Sequence, residues 1–91
     1  MLFMVVEHYT TGPAAVYERA TIHGRMLPDG LDYIDSWVVD DESMDRCFQL
    51  MECDDARLLQ DWLLNWSDLM ECEIVPVVPS NETRELVQSR L

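Results

Sequence analysis

The sequence contains no lysine: its 6 basic residues are Arg19, Arg25, Arg46, Arg57, Arg84 and Arg90, set against 18 aspartates and glutamates for a net charge of −12. Lysine chemistry is thereby excluded. Partners whose affinity rests on neutralising phosphate or anionic lipid are disfavoured, so neither nucleic acid nor a membrane surface is expected as a ligand. Cysteine is also scarce. Cys47, Cys53 and Cys72 form an odd set without CxxC spacing, which suggests neither a disulfide framework nor a zinc knuckle, and buried reduced thiols are expected instead. The two histidines, His8 and His23, stand at no ligand-pair spacing, and no metal site is expected. Long apolar runs are missing too. Leu2 to Val6 is too short for a signal-peptide core and lacks a basic flank, and nothing approaches the roughly 20 residues of a membrane span. A cytoplasmic location is the expectation. No glycine-rich phosphate loop, Ser, His, Asp constellation or paired-carboxylate signature is present, so no cofactor is expected and no reaction class is specified.

What the chain does contain is an order of elements. Leu2 to His8 is an almost unbroken apolar run that turns polar at its end and stops at Thr10, Thr11 and Gly12, as a strand would. Pro13 suits the first turn of a helix, where its missing N–H is no loss. That helix should run to about His23, with Gly24 closing it in a left-handed conformation. Pro28, Asp29 and Gly30 make a turn. Strands Leu31 to Val39 and Met44 to Cys53 follow, joined by a four-residue acidic loop, Asp40 to Ser43. This loop has neither the glycine nor the distal glutamate of a calcium loop. Asp54 and Asp55 then offer acceptors and negative charge to the start of a second helix, about Asp55 to Trp66. Leu59, Trp62, Leu63, Trp66 and Met70 form its apolar stripe. Glu73 to Val78 is the fourth strand, and Pro76 places it at a sheet edge or beside a bulge. Pro79 and Ser80 open a short last helix with Leu86, Val87 and Leu91 as a weak apolar face.

The expected architecture is therefore α+β: a ferredoxin-like βαββαβ unit over residues 1–79, with a four-stranded antiparallel sheet carrying two helices on one face, and a short C-terminal helix over residues 80–91. A sheet of this kind should alternate apolar and polar residues if its second face is wet. These strands do not. Leu2, Phe3, Met4, Val5 and Val6 are apolar in succession, as are Ile74, Val75, Val77 and Val78, so both faces need cover. Two helices mask one face; a second copy packed sheet to sheet would mask the other, giving a homodimeric α+β barrel. Strand parity suggests Phe48 and Leu50 for the helix side. Cys47, Gln49 and Met51 would then face the second copy, beside Tyr33, Asp35 and Trp37, with His8 pointing into the same space.

The stretches MLFMVVEHY, VYERATIHGRMLPDGLDYIDSW, DRCFQLMECDD and DWLLNWSDLMECEIVPVV together resemble the family known as domain of unknown function 3303, over Met1 to about Ser80. The resemblance implies a ferredoxin-like, dimeric α+β barrel fold and supplies no catalytic motif. It also implies a larger, often aromatic residue at position 20, where this chain has Ala, so the first helix is expected to pack less tightly there.

Two classes of function follow. In the first, the homodimer binds a small organic ligand in a cavity between its sheets, or serves a structural role. In the second it is a cofactor-independent enzyme, monooxygenase-like or isomerase-like, acting on an apolar or aromatic molecule. His8 would be the proton carrier, since its unperturbed pKa lies near neutrality, and Tyr33, Trp37, Gln49 and Met51 would line the cavity. The missing motifs favour the binding class.

Overall fold

All 91 residues are described by a computed structural model. The observed order is β1 (Leu2–Tyr9), α1 (Pro13–His23), β2 (Asp32–Val38), β3 (Arg46–Glu52), α2 (Arg57–Leu63), β4 (Met70–Val77) and α3 (Ser80–Gln88). The strands form one antiparallel sheet in the order β2-β3-β1-β4. This is the ferredoxin-like α+β arrangement. Pro76 lies on β4, an edge strand that pairs only with β1, so its missing N–H breaks no interior ladder.

Local chemistry sets most of the boundaries. Pro13 opens α1, and Gly24 closes it at φ 66° with its N–H donating to the Ala20 carbonyl, a conformation that costs glycine least. The turn before β2 is closed by the Leu31 N–H on the Pro28 carbonyl at 3.2 Å, with Gly30 at φ 92°. The connection between β2 and β3 is longer than the expected four residues, because pairing pauses at Val38 and resumes at Arg46. Asp41 organises it by accepting from the Ser43 hydroxyl and the Met44 N–H, and those bonds hold its carboxyl below the usual range.

The second helix is shorter than expected. It begins at Arg57, whose N–H donates to Asp55 Oδ1 at 3.0 Å, and ends at Leu63. The chain then makes turns in which Asn65 and Trp66 donate three residues back, to the Trp62 and Leu63 carbonyls. Asn65, Ser67 and Asp68 are turn formers, and Arg19 fixes the segment from α1 by donating to both Asp68 oxygens at 2.7 Å and to the Asn65 carbonyl at 2.8 Å. Met70 therefore starts β4 rather than ending the helical stripe, pairing with Tyr9.

The largest correction concerns the sheet faces. Phe3, Val5, Glu7 and Tyr9 of β1 are buried on the helix side, and they pair across the ladder with Met51, Gln49 and Cys47 of β3. Cys47 and Met51, expected against a second copy, thus belong to the chain's own core with Leu59, Trp62 and Trp66. Phe48 and Leu50, expected under the helices, occupy the opposite face. A β-bulge between Tyr33 and Asp35 splits β2 as well: Tyr33 pairs with Met51 on the helix side, whereas Trp37 pairs with Phe48 on the open side. One inserted residue, Ile34, breaks the two-residue repeat and sends the two aromatics to opposite faces.

The open face carries Leu2, Met4, Val6, Phe48, Leu50, Val75, Val77 and Trp37, the last 51% exposed. Asp32, Asp35, Glu52, Arg46, His8, Glu71 and Glu73 border it. No helix covers this surface. Helix α3 has no buried residue, and Leu86 and Val87 are exposed on it. With a radius of gyration of 15.0 Å for 91 residues, against about 12 Å for a compact domain of that size, the chain is extended along its longest dimension of 48 Å.

Candidate functional site

Between α1, the segment after it, α2 and the helix-side face of the sheet lies a cleft of about 280 Å³. Its geometry follows from the corrected parity. Glu7 and Tyr9 of β1, Cys47 and Gln49 of β3, and Ser36 and Val38 of β2 form the floor; Val16, Tyr17 and Ala20 of α1 form one wall; Trp62, Trp66 and Met70 form the other. Ala20 is the position where a larger residue was implied, and its small side chain leaves room on the α1 wall. Arg25 lies at the rim. Its carbonyl accepts from both indoles, Trp62 Nε1 at 2.7 Å and Trp66 Nε1 at 3.2 Å, so the buried indole N–H groups find partners and the segment after α1 is fixed. The Arg25 guanidinium lies over the Tyr33 ring, 3.5 Å from its centre.

Glu7 gives the cleft its chemistry. It is the one buried charged or polar residue, 1% exposed. Its Oε2 accepts from Gln49 Nε2 at 2.9 Å, and its Oε1 accepts from the Tyr9 hydroxyl at 3.4 Å. Burial pushes its pKa above the ordinary 4.5, against the opposing hydrogen bonds from Gln49, Cys47 and Tyr9 and the charge of Arg25. Gln49 Oε1 is buried and has no partner. The floor is thus a carboxyl with a strengthened hold on its proton beside an amide with one unused end, inside largely apolar walls. Such a site can exchange a hydrogen bond or a proton with a bound molecule. Thiolate chemistry is not available near neutral pH: desolvation pushes the Cys47 thiol up to about 11 and the Cys72 thiol up to about 12.

The raised Glu7 pKa makes a stability prediction whose sign is fixed by linkage. The folded state holds the Glu7 proton more tightly than the unfolded chain, so stability falls as pH rises from about 4.5 through the folded value. Glu7→Gln removes that slope. Thermal melts between pH 4 and pH 8, about the range where carboxyls so perturbed titrate, should show the variant gaining on the parent as pH rises. A parallel pair of curves would contradict the assignment.

The residues singled out from sequence divide between the two faces. Gln49 is on the cleft floor, Tyr33 stacks under Arg25 at its rim, and Met51 is fully buried in the core beneath. Trp37 and His8 are on the open face. His8 is exposed, with Nε2 3.2 Å from Asp45 Oδ2, and it lines a shallower depression with Arg46, Glu71 and Glu73. The cleft lies within the single chain, between helices and sheet, not on the sheet face where a second copy was expected. Glu7 was not expected at such a site: Leu2 to Val6 are apolar on both faces of β1, so the burial of Glu7 with Phe3, Val5 and Tyr9 is decided by the side on which the helices pack.

No helix of the protein is long and apolar enough to cross a membrane. No curated protein matches the chain, and no solved structure does. The match is to a family model described as Domain of unknown function (DUF3303), over residues 1–91, and the chain belongs to that family.

Proposed function

We infer that the protein binds a small organic molecule in the cleft between its helices and its sheet, and that it does so as a homodimer. The observation that carries the ligand reading is Gln49 Oε1, buried and unpartnered beside the buried Glu7 carboxyl at the floor of an apolar cleft. A buried polar atom without a partner costs free energy unless something satisfies it. The volume of about 280 Å³ lies near the lower end of the roughly 300–1,000 Å³ usual for small-molecule sites. The free cysteines agree with a reducing, cytoplasmic setting.

The homodimer reading rests on the uncovered sheet face. Eight apolar side chains there, from Leu2 to Val77, face away from both helices of the core, and a patch of this kind on a small domain marks an interface. A second copy is the occupant that needs no further sequence, because an apolar patch related by a two-fold axis is complementary to itself. The exposed Leu86 and Val87 of α3 give the same partner a second apolar surface to meet.

The enzymatic alternative is favoured by one specific observation, the position and raised pKa of Glu7. If the cleft turns its ligand over, Glu7 is better placed than His8 to carry the proton. His8 is on the opposite face of the sheet.

Filling the cleft tests the ligand reading. Ala20→Trp projects an indole from the α1 wall toward the floor. The variant should retain its far-ultraviolet circular dichroism and lose any small molecule that solvent extraction and mass spectrometry recover from the parent protein. Equal recovery from both proteins would place that molecule elsewhere.

A further inference from the structure

Resting on the reading of the cleft as a ligand site, its two ends specify a class of occupant. We propose that it takes a small aromatic carboxylate with a hydroxyl at the far end, the carboxylate held by Arg25 at the rim and the hydroxyl by Gln49 at the floor.

Arg25 is held in a way that prepares it for an anion. Its carbonyl is pinned by the Trp62 and Trp66 indoles, and its guanidinium carbon lies over the Tyr33 ring, 3.5 Å from the centre, a separation that leaves room only for a stacked guanidinium. Stacking engages the face of a guanidinium and leaves its edge of N–H donors free, the geometry that meets a carboxylate with two parallel hydrogen bonds. Arg19 and Arg57 spend that edge on Asp68 and Asp55. Arg25 makes neither an ion pair nor a side-chain hydrogen bond, although acids outnumber bases 18 to 6 in the chain. It is close enough to Glu7 for its charge to act on that carboxyl, so rim and floor belong to one site.

The floor asks for a hydroxyl. Gln49 donates to Glu7 through Nε2 and leaves Oε1 buried and unused. A hydroxyl both donates and accepts, so it can donate a hydrogen bond to Gln49 Oε1. Between the two ends the walls are Val16, Trp62 and Trp66, which suit a flat apolar body. The net charge of −12 does not decide against an anion here. Exposed charges farther than about 8 Å are largely screened at physiological salt, and burial raises the pKa of Glu7, the buried carboxyl of the cleft.

The probes are 4-hydroxyphenylacetate, phenylacetate, which lacks the hydroxyl, and 4-methylphenol, which lacks the carboxylate. Titrations followed by amide chemical shifts should give 4-hydroxyphenylacetate an affinity about tenfold or more above either analogue, as expected when one charge-assisted or one buried hydrogen bond is lost. Arg25→Gln keeps the carbonyl that the indoles hold. It should bring 4-hydroxyphenylacetate down to the level of 4-methylphenol while leaving 4-methylphenol unchanged. Should Arg25→Gln fail to fold, the comparison of the three probes on the parent protein decides alone. Equal binding of 4-methylphenol and the acid overturns the carboxylate assignment and leaves a ligand site of another class. Failure of all three probes to bind also overturns it, and a different molecule recovered from the parent but not from Ala20→Trp would then uphold the broader reading.

Discussion

Replacing Trp62 with alanine is expected to remove about 3–5 kcal/mol of folding stability, the range for truncating a fully buried large aromatic. Trp62 is 1% exposed and is among the largest side chains buried outright. Its loss takes away more than apolar area. The 2.7 Å hydrogen bond from Nε1 to the Arg25 carbonyl goes too, leaving that acceptor only the longer bond from Trp66. For a domain of 91 residues total stability is about 5–14 kcal/mol, so this one change consumes a large part of it. Trp62→Phe should cost less, since most of the apolar body stays and the lost hydrogen bond is worth about 1 kcal/mol. Urea unfolding at a fixed protein concentration measures both. A midpoint unchanged in Trp62→Ala would contradict the placement of α2 against the sheet.

Phe48→Asp is expected to abolish dimerisation at micromolar concentration while the protomer stays folded. Phe48 sits near the middle of the open face, paired with Val6 on one side and Trp37 on the other, and does not contribute to the buried core. In a symmetric interface each substitution occurs twice. Two carboxylates would then lose water without a partner, at a cost of several kcal/mol, which converts to an affinity loss of a hundredfold or more, roughly. Cys47→Asp, one residue away but on the helix side, should instead unfold the protomer, because Cys47 is buried beside Glu7, Tyr9 and Met70. The pair of variants separates the two faces. Sedimentation velocity on Phe48→Asp should find a single species near 10.6 kDa. A dimer of unchanged strength would show that the open face is not the interface.

The contrast between these neighbours marks where sequence reading stopped. Element order was legible because its signals are local: Pro13 and Gly24 bracket α1, the Pro28 to Gly30 turn precedes β2, and Pro76 marks the edge strand. The side of the sheet on which each residue of β3 lies is not a local property. Cys47, Phe48, Leu50 and Met51 are all apolar, so alternation gives no parity, and only the ladder with Phe3, Val5 and Glu7 decides it. The bulge at Ile34 added a second inversion by separating Tyr33 from Trp37. Met70 was read into the helical stripe because its spacing from Trp66 is helical, although turns intervene. The open face stays apolar through these corrections, since Phe48 and Leu50 take the places expected for Cys47 and Met51.

The candidate site was legible only in part, for the same reason. Gln49 and Tyr33, expected between two sheets, lie instead on the helix side at the cleft, whereas His8 and Trp37 are on the open face where they were expected and away from the cleft. Chemistry in this protein depends on environment more than on residue type: burial gives an ordinary glutamate a stronger hold on its proton, while the histidine is exposed.

Native mass spectrometry of the protein purified from its own host tests the account most directly. The expected result is a species of twice the 10.6 kDa chain plus a small-molecule increment on each protomer, with the increment missing from Ala20→Trp and the doubled mass retained. Bare monomers from the parent protein, under conditions that preserve known weak dimers, would contradict it.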